Sequence, residues 1–381
     1  MRRLLLFVCV VVFADTMFYS AITPLLPELS DRFGLSKSGA GVLAAAYAAG
    51  TFAGALPGGW LAARAGVRPT VLLGLGLMVA ASVAFAFADS IVVLDVARFG
   101  QGLGGAASWA GALGWLIEAA PRARRGELIG AGLGAAVAGS LFGPVLGAAA
   151  DAIGQVAVFG GFALAGLGLM AWALRMHAPP RAGVARLRTL FASIGDRRVA
   201  AGMWLTALPG VLFGTMSVLG ALRLDALGAG AAAIGAAFLL AAALEAFVGP
   251  IVGRVSDRRG RLLPSALGTA GGVLAMLLLP WPQSAWLLGA VIVISGPLIG
   301  ILYAPAMALV SDGAEAFGIA QGFAFALLNL AWATGQTAGA AGSAWLADLT
   351  GDRVPYLLLA GVSAATLAAL LRRGRLASRL A

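Results

Sequence analysis

Asp15, Asp95, Arg98 and Glu245 are the residues here that could do chemistry, because each is an ionisable group inside an otherwise apolar run. Asp15 lies about twelve positions past Arg3 in a stretch, Leu4 to Leu26, that holds no other charge. At ~1.5 Å of helical rise per residue this places a carboxyl ~18 Å deep, near the middle of a hydrocarbon core about 30 Å thick. A bare charge there costs at least ~2.5 kcal/mol on insertion scales, so its default reading is a functional site. Glu245 precedes Arg254 by nine residues, which sets it ~13 Å from a membrane edge by the same rise. Such a carboxyl can carry a proton at neutral pH and release it when water arrives. Asp95 precedes Arg98 by three residues, so the two share a helix face and are expected to neutralise each other, with Arg98 setting the charge of any cavity between helices. The competing reading is structural: a permanently protonated carboxyl in one interhelical hydrogen bond, or a fixed ion pair.

The elements that position these groups follow from composition. Hydrophobic residues make up 61% of the 381 positions and charged ones 11%, and the mean hydropathy is +0.95, far from a soluble domain. Apolar runs long enough to span a bilayer fall at about 4–26, 39–62, 71–88, 91–117, 128–149, 153–174, 199–222, 231–252, 262–279, 285–310, 319–346 and 354–371. The chain therefore reads as an all-α membrane protein with twelve transmembrane helices.

With the N-terminus inside, twenty-one basic residues fall on inner segments and margins, and only Arg32, Lys37, Arg223 and Arg353 on outer ones. The positive-inside rule then puts both termini in the cytoplasm. The net charge of +10 is a topology signal rather than a nucleic-acid footprint, because no basic stretch is interleaved with exposed aromatics. The first span follows Arg2 and Arg3 but is too long for a signal-peptide core, so it is expected to be retained. Cys9 and His177 are the single cysteine and histidine, which excludes an intrachain disulfide and any site of several Cys or His ligands. A bacterial inner membrane fits best. No nucleotide loop, metal cluster or cofactor motif is present, so an enzyme is not expected.

Loops are short except between the sixth and seventh spans, which divides the chain into a six-helix bundle at 1–174, a cytoplasmic linker at 175–198 and a second bundle at 199–381. Within the linker Leu187, Leu190, Phe191 and Ile194 recur at helical spacing beside Arg186 and Arg188, a pattern for an amphipathic helix on the membrane surface. The halves share a repeat. Gly59-Trp60-Leu61-Ala62-Ala63-Arg64-Ala65-Gly66-Val67-Arg68 follows the second span, and Gly253-Arg254-Val255-Ser256-Asp257-Arg258-Arg259-Gly260-Arg261 follows the eighth, with both glycine pairs offset by 194. Two pseudo-symmetric six-helix bundles follow.

These two segments resemble the signature loop of the major facilitator superfamily and its second-half echo, and the resemblance covers nearly the whole chain. The usual acidic residue of the first copy is replaced by Ala63, while the second keeps Asp257. Arg98-Phe99-Gly100-Gln101-Gly102-Leu103-Gly104-Gly105 resembles the motif of drug/proton antiporters with an intramembrane arginine. Gly139-Ser140-Leu141-Phe142-Gly143-Pro144-Val145-Leu146-Gly147 resembles their antiporter signature, and Pro24-Leu25-Leu26-Pro27 ends the first span. Together they are similar to the twelve-span drug/proton antiporter family, including its vesicular amine transporter-like branch.

That resemblance implies proton-coupled efflux of small amphiphilic, cationic compounds by alternating access. Asp15, Glu245, Asp95 and Arg98 are then the proton-coupling candidates. Phe18, Tyr19, Trp109, Met216, Tyr303, Asn329, Trp332 and Gln336 would line the cavity, where aromatic faces and carboxyls suit lipophilic cations. Gating would involve Gly59, Arg64, Gly66, Arg68, Asp257, Arg258, Gly260 and Arg261, with Gly139, Gly143, Pro144 and Gly147 sealing one face through a bent, closely packed fifth helix. The partners are a small-molecule substrate, protons and the lipid bilayer, without nucleic acid, and a monomer is expected. A proton-coupled importer of a metabolite is the alternative, and a non-transporting sensor or scaffold a third reading.

Overall fold

The computed structural model describes residues 1–121, 124–177, 195–316 and 321–380. The amphipathic pattern at Leu187 to Ile194 lies outside them. The described residues are helical almost throughout: α1 (Arg2–Ser20), α2 (Ile22–Phe33), α3 (Lys37–Ala65), α4 (Val67–Ala86), α5 (Ile91–Ala119), α6 (Arg125–Ile153), α7 (Gln155–Leu174), α8 (Arg197–Thr215), α9 (Ala221–Ala226), α10 (Ala231–Arg259), α11 (Leu262–Leu278), α12 (Ala285–Gly300), α13 (Tyr303–Ala316), α14 (Gln321–Thr337), α15 (Ser343–Thr350) and α16 (Arg353–Leu380). Pairs such as α1 and α2 form one bent span, since Pro24 and Pro27 remove backbone donors from it. Wide π-turns at Met216–Gly220 and Ala338–Gly342 join α8 to α9 and α14 to α15.

Nine helical segments among the described residues are long and apolar enough to cross a membrane. The shorter Leu262–Leu278 is apolar as well, and Ile91–Ala119 and the α14–α15 segment complete the twelve-helix arrangement. Ile91–Ala119 is diluted by Asp95, Arg98 and its glycines rather than by being short.

The pseudo-repeat is written in the turns. All positive-φ residues among those described are glycines, and they fall in pairs: Gly34 with Gly228, Gly66 with Gly260, Gly154 with Gly351. The offsets are 194, 194 and 197 residues. A left-handed backbone after the last helical turn is cheap only for glycine, so equivalent helices in the two halves stop by the same device.

Lipid offers no hydrophobic drive between helices, so close approach decides packing. A methyl group added at Gly50 or Gly102 would overlap the facing backbone of the α3–α5 crossing, and one at Gly139, Gly143 or Gly147 would overlap α1 or the bend after it. Thr16 and Ser20 donate from α1 to the Ala136 and Ser140 carbonyls of α6 at 2.9 and 3.2 Å.

The core is fused at the face opposite the chain ends and divided toward them. Leu25, Leu26 and Leu43 of the first half share one buried cluster with Leu205, Met216 and Ala340 of the second. Toward the chain ends Leu4, Phe7, Trp115 and Leu116 form one cluster, and Val199, Val310, Leu327 and Leu328 form another, against which Leu56 packs. Polar ties cross the halves at the fused face. Lys37 pairs with Asp352, and Asp348 accepts from the Ser38 hydroxyl at 2.5 Å and from its backbone N–H at 2.8 Å. Beside them Gly41 fits against Ala340 and Ala344.

Some burial raises the proton affinity of Asp348, but the Ser38 hydroxyl and N–H outweigh it and hold the carboxyl below its ordinary 3.8. A carboxylate depressed in the tied state contributes above its ordinary value and loses that contribution as pH falls through the depressed one. The Ser38 tie is therefore constant from neutral pH down to about 5, and weakens only below the usual carboxylate range near 3.9. Spin-label distances between Asp89→Cys and Gln283→Cys, in a Cys9→Ser background, should hold steady over that upper window and lengthen only in stronger acid. Separately, Gly102→Val should lower the thermal unfolding midpoint, costing about 1–3 kcal/mol by overpacking. Gly168→Ala, where nothing lies within 4 Å of an added Cβ, should leave the midpoint unchanged or raise it.

Candidate functional site

Asp15 is 5% exposed and accepts two hydrogen bonds from aromatic side chains. The Tyr47 hydroxyl donates to Oδ1 at 2.5 Å and the Trp109 indole N–H to Oδ2 at 2.7 Å. These donors come from α3 and α5, and Gly105 makes the room: a methyl group there would overlap the carboxyl. Burying this polar group is tolerable because both oxygens are satisfied.

Arg98, 2% exposed, does not pair with Asp95 as its spacing suggested. Its Nη1 donates to the Phe18 carbonyl at 3.2 Å and to Gln101 Oε1 at 3.1 Å, and its Nη2 donates to the Tyr19 carbonyl at 3.1 Å. Asp95 Oδ1 is buried without a partner among the described residues. The guanidinium is drawn instead to the bend between α1 and α2, where proline has loosened the carbonyl ladder. It also lies 4.9 Å from the centre of the Tyr47 ring, a favourable cation–π distance.

From Asp15 a run of aromatic rings crosses to the second half. Tyr47 packs on Tyr19 at 5.2 Å between ring centres, and Tyr19 meets Trp332 edge-on at 5.0 Å. Trp332 is in polar contact with Tyr303 of α13. Tyr303 also stacks on Phe213 at 6.2 Å. Glu245 sits against Gly300 of α12 and makes no hydrogen bond or ion pair among the described residues. The rings of Tyr47, Tyr19 and Trp332 thus lead from Asp15 to the second half, where Tyr303 and Glu245 lie.

The other sequence candidates divide. Gln336 is 3% exposed with Oε1 unpartnered among the described residues, and Asn329 is half-buried on α14. Phe18 lies away from the aromatic run, its ring packed on Phe159 and Phe162 at 5.2 and 4.2 Å. Met216 is likewise buried in the core fused between the halves. At the signature loops Arg64 lies over Trp60, and Arg68 donates to the Met176 carbonyl at 3.2 Å. Arg261 binds Asp257 at 2.7 Å and Asp312 at 3.3 Å, so this cluster ties the α10–α11 turn to α13 inside one half. Gly66 and Gly260 are its helix stops, while Gly59 has open space around it and Arg258 is exposed. Pro144 turns its carbonyl toward Gly235 of α10, so α6 touches the other half where its helix bends.

A family model for the Major Facilitator Superfamily matches residues 8–324. The chain belongs to this superfamily. It is a multi-pass membrane protein of that family. An MFS-type transporter, ppzB, of Metarhizium rileyi is 34% identical over 141 residues, covering 35% of this chain and 29% of that one. The multidrug resistance protein Stp of Mycobacterium tuberculosis is 33% identical over 123 residues, covering 32% of this chain and 23% of that one. The chain thus spans about a third or less of the length of the curated relatives it matches. Solved structures share the fold over nearly the whole length. A POT family transporter in complex with 5-aminolevulinic acid aligns with a TM-score of 0.74 at 15% identity, covering 96% of this chain and 95% of that one. A bacterial homologue of the human lysosomal transporter Spinster, inward-facing and unoccupied, aligns at 0.75 and 16% identity, with the same coverage.

Tyr47 and Gln101 are the members of the site that the sequence reading did not single out. Tyr47 is the one large polar side chain between Gly39 and Gly50, and that isolation was the available signal. Replacing Arg98 by lysine keeps the charge but not the fork that holds two carbonyls and Gln101. Arg98→Lys should therefore lower stability by at least about 1.5 kcal/mol, the worth of one hydrogen bond to a charged group, read as a lower unfolding midpoint in detergent.

Proposed function

We propose that this transporter expels small, amphiphilic organic cations in exchange for protons. The observation that carries the reading is the Asp15 carboxyl, held by two aromatic donors and continued by aromatic rings to Trp332 in the other half, which also holds Glu245. With Asp15 ionised, its charge and that of Arg98 cancel inside the cavity. A protonated Asp15 leaves Arg98 in excess, which repels a cationic substrate. Proton and cation therefore compete for one carboxyl, which is the exchange an antiporter requires.

Aromatic faces at Tyr19, Tyr47, Trp332 and Tyr303 offer a cation about 0.5–2 kcal/mol each where water is excluded. Trp109 and Gln336 add polar selectivity. Asp95, away from Arg98, serves as a secondary proton acceptor on the α5 surface. The core fused at one face and divided at the other supports a state closed on the side away from the chain ends, with the halves 1–174 and 199–381 rocking about the site. The arginine asymmetry supports a bacterial inner membrane with both termini in the cytoplasm, so the closed face is the outer one. The multidrug resistance name of the mycobacterial relative agrees with efflux.

The test is transport of a lipophilic cationic dye in proteoliposomes under an imposed pH gradient. Asp15→Asn and Glu245→Gln should each reduce gradient-driven transport at least about tenfold, as removal of an essential proton group requires. Wild-type rates in both variants would refute coupling through these carboxyls. Trp332→Ala should instead raise the half-saturating dye concentration about threefold to tenfold, the loss of one cation–π contact.

A further inference from the structure

The face opposite the chain ends is poor in positive charge, holding Arg32, Lys37, Arg223 and Arg353. Three of these meet at one place. Arg223 after the first π-turn and Arg353 at the start of α16 line a cavity of about 310 Å³, together with Pro280, Thr350, Asp352 and Tyr356. Lys37 reaches Asp352 from the other half.

Two guanidinium groups thus share a cavity with one carboxylate already engaged by an ammonium group. Arg223 has no ion pair among the described residues. Arg353 lies over Trp281 at 4.8 Å. Trp281 and Trp286 are 52% and 92% exposed, an aromatic belt that sets the cavity at headgroup depth.

We propose that this cavity binds a phosphate-bearing anion through Arg223 and Arg353, and that its occupancy strengthens the Lys37–Asp352 tie across the halves. Guanidinium groups fit phosphate oxygens two at a time, which Lys37 cannot do. Asp352 pairs with Lys37, and the two guanidinium groups nearby repel that ammonium group. An anion neutralises them, removes that repulsion of Lys37, and so binds the closed face better than an open one. Differential affinity of that kind shifts the conformational equilibrium. The anion is either a lipid headgroup or free phosphate, and the assignment is independent of what the central site transports.

The experiment places the purified protein in nanodiscs of uncharged, phosphate-free glycolipid. One arm adds phosphatidylglycerol and counts retained lipid by native mass spectrometry; the other titrates inorganic phosphate by calorimetry. Wild type should bind in at least one arm, about tenfold more tightly than Arg223→Gln/Arg353→Gln, the loss expected when charge-assisted hydrogen bonds are removed. Binding of phosphatidylglycerol alone makes the site a lipid site, and binding of phosphate alone or of both makes it a free-anion site. Arg223→Lys/Arg353→Lys should recover part of the affinity, which separates charge from folding. Retention unchanged by the glutamine substitutions, or no binding in either arm, overturns the site. Spin-label distances between Asp89→Cys and Gln283→Cys should shift toward the shorter population when the anion is added, and a distribution that does not move overturns the coupling.

Discussion

The arrangement depends on keeping two charge-capable groups, Asp15 and Arg98, out of water with both carboxyl oxygens and both terminal guanidinium nitrogens paired, while Arg98 Nε finds no partner among the described residues. Moving such ions into a low-dielectric medium costs several kcal/mol each even after relaxation. A direct ion pair is one solution. This chain uses another: Asp15 is satisfied by Tyr47 and Trp109, and Arg98 by Gln101 and two backbone carbonyls. The carboxyl therefore keeps no committed cationic partner, which is what the proposed exchange of proton for substrate cation needs, and each donor to it is neutral. A fixed Asp15–Arg98 bridge would make that exchange costly, because breaking it leaves a buried charge uncompensated.

Local sequence sets this geometry up at several points. Pro24 bends the first span where Arg98 needs carbonyls, Gly105 clears the volume that the Asp15 carboxyl fills, and Gly50 and Gly102 bring α3 and α5 close enough for Tyr47 to reach across. The glycines of the sixth helix do the same against α1, with Thr16 and Ser20 adding hydrogen bonds. What resembled an antiporter seal in the sequence is, in the fold, the packing seam under Asp15 that also presents the Pro144 carbonyl to the other half.

Much of the fold was legible because the bilayer leaves few options. Apolar runs had to be helices, and the repeat at Gly59 to Arg68 and Gly253 to Arg261 foretold paired helix stops, seen as positive φ at Gly66 and Gly260. The site was legible only in its charges. Spacing placed Asp95 and Arg98 on one helix face but could not reveal that carbonyls of another helix, freed by a bend, would outbid the carboxyl. Depth alone grouped Phe18 with Tyr19, although one faces α7 and the other the cavity, a matter of helix rotation fixed by packing. Tyr47 escaped notice because one tyrosine among alanines carries no motif.

The same economy links the centre to the closed face. Tyr19 ends the aromatic path of the first half, follows Asp15 by one helical turn, and lends its carbonyl to Arg98. Its ring meets Trp332 on α14, and that helix continues through a π-turn into α15, which carries Asp348 and leads to Asp352. A π-turn tolerates a change in local winding at lower cost than a regular helix does. Its counterpart at Met216–Gly220 contacts it, with Thr215 and Ser343 hydrogen-bonded at 2.7 Å. In the proposed cycle, a displacement of Trp332 by a bound cation would reach the ties at Ser38 and Lys37 through these two adjacent turns. The carboxyl proposed to choose between proton and substrate and the polar ties across the halves thus lie along one continuous line of contacts.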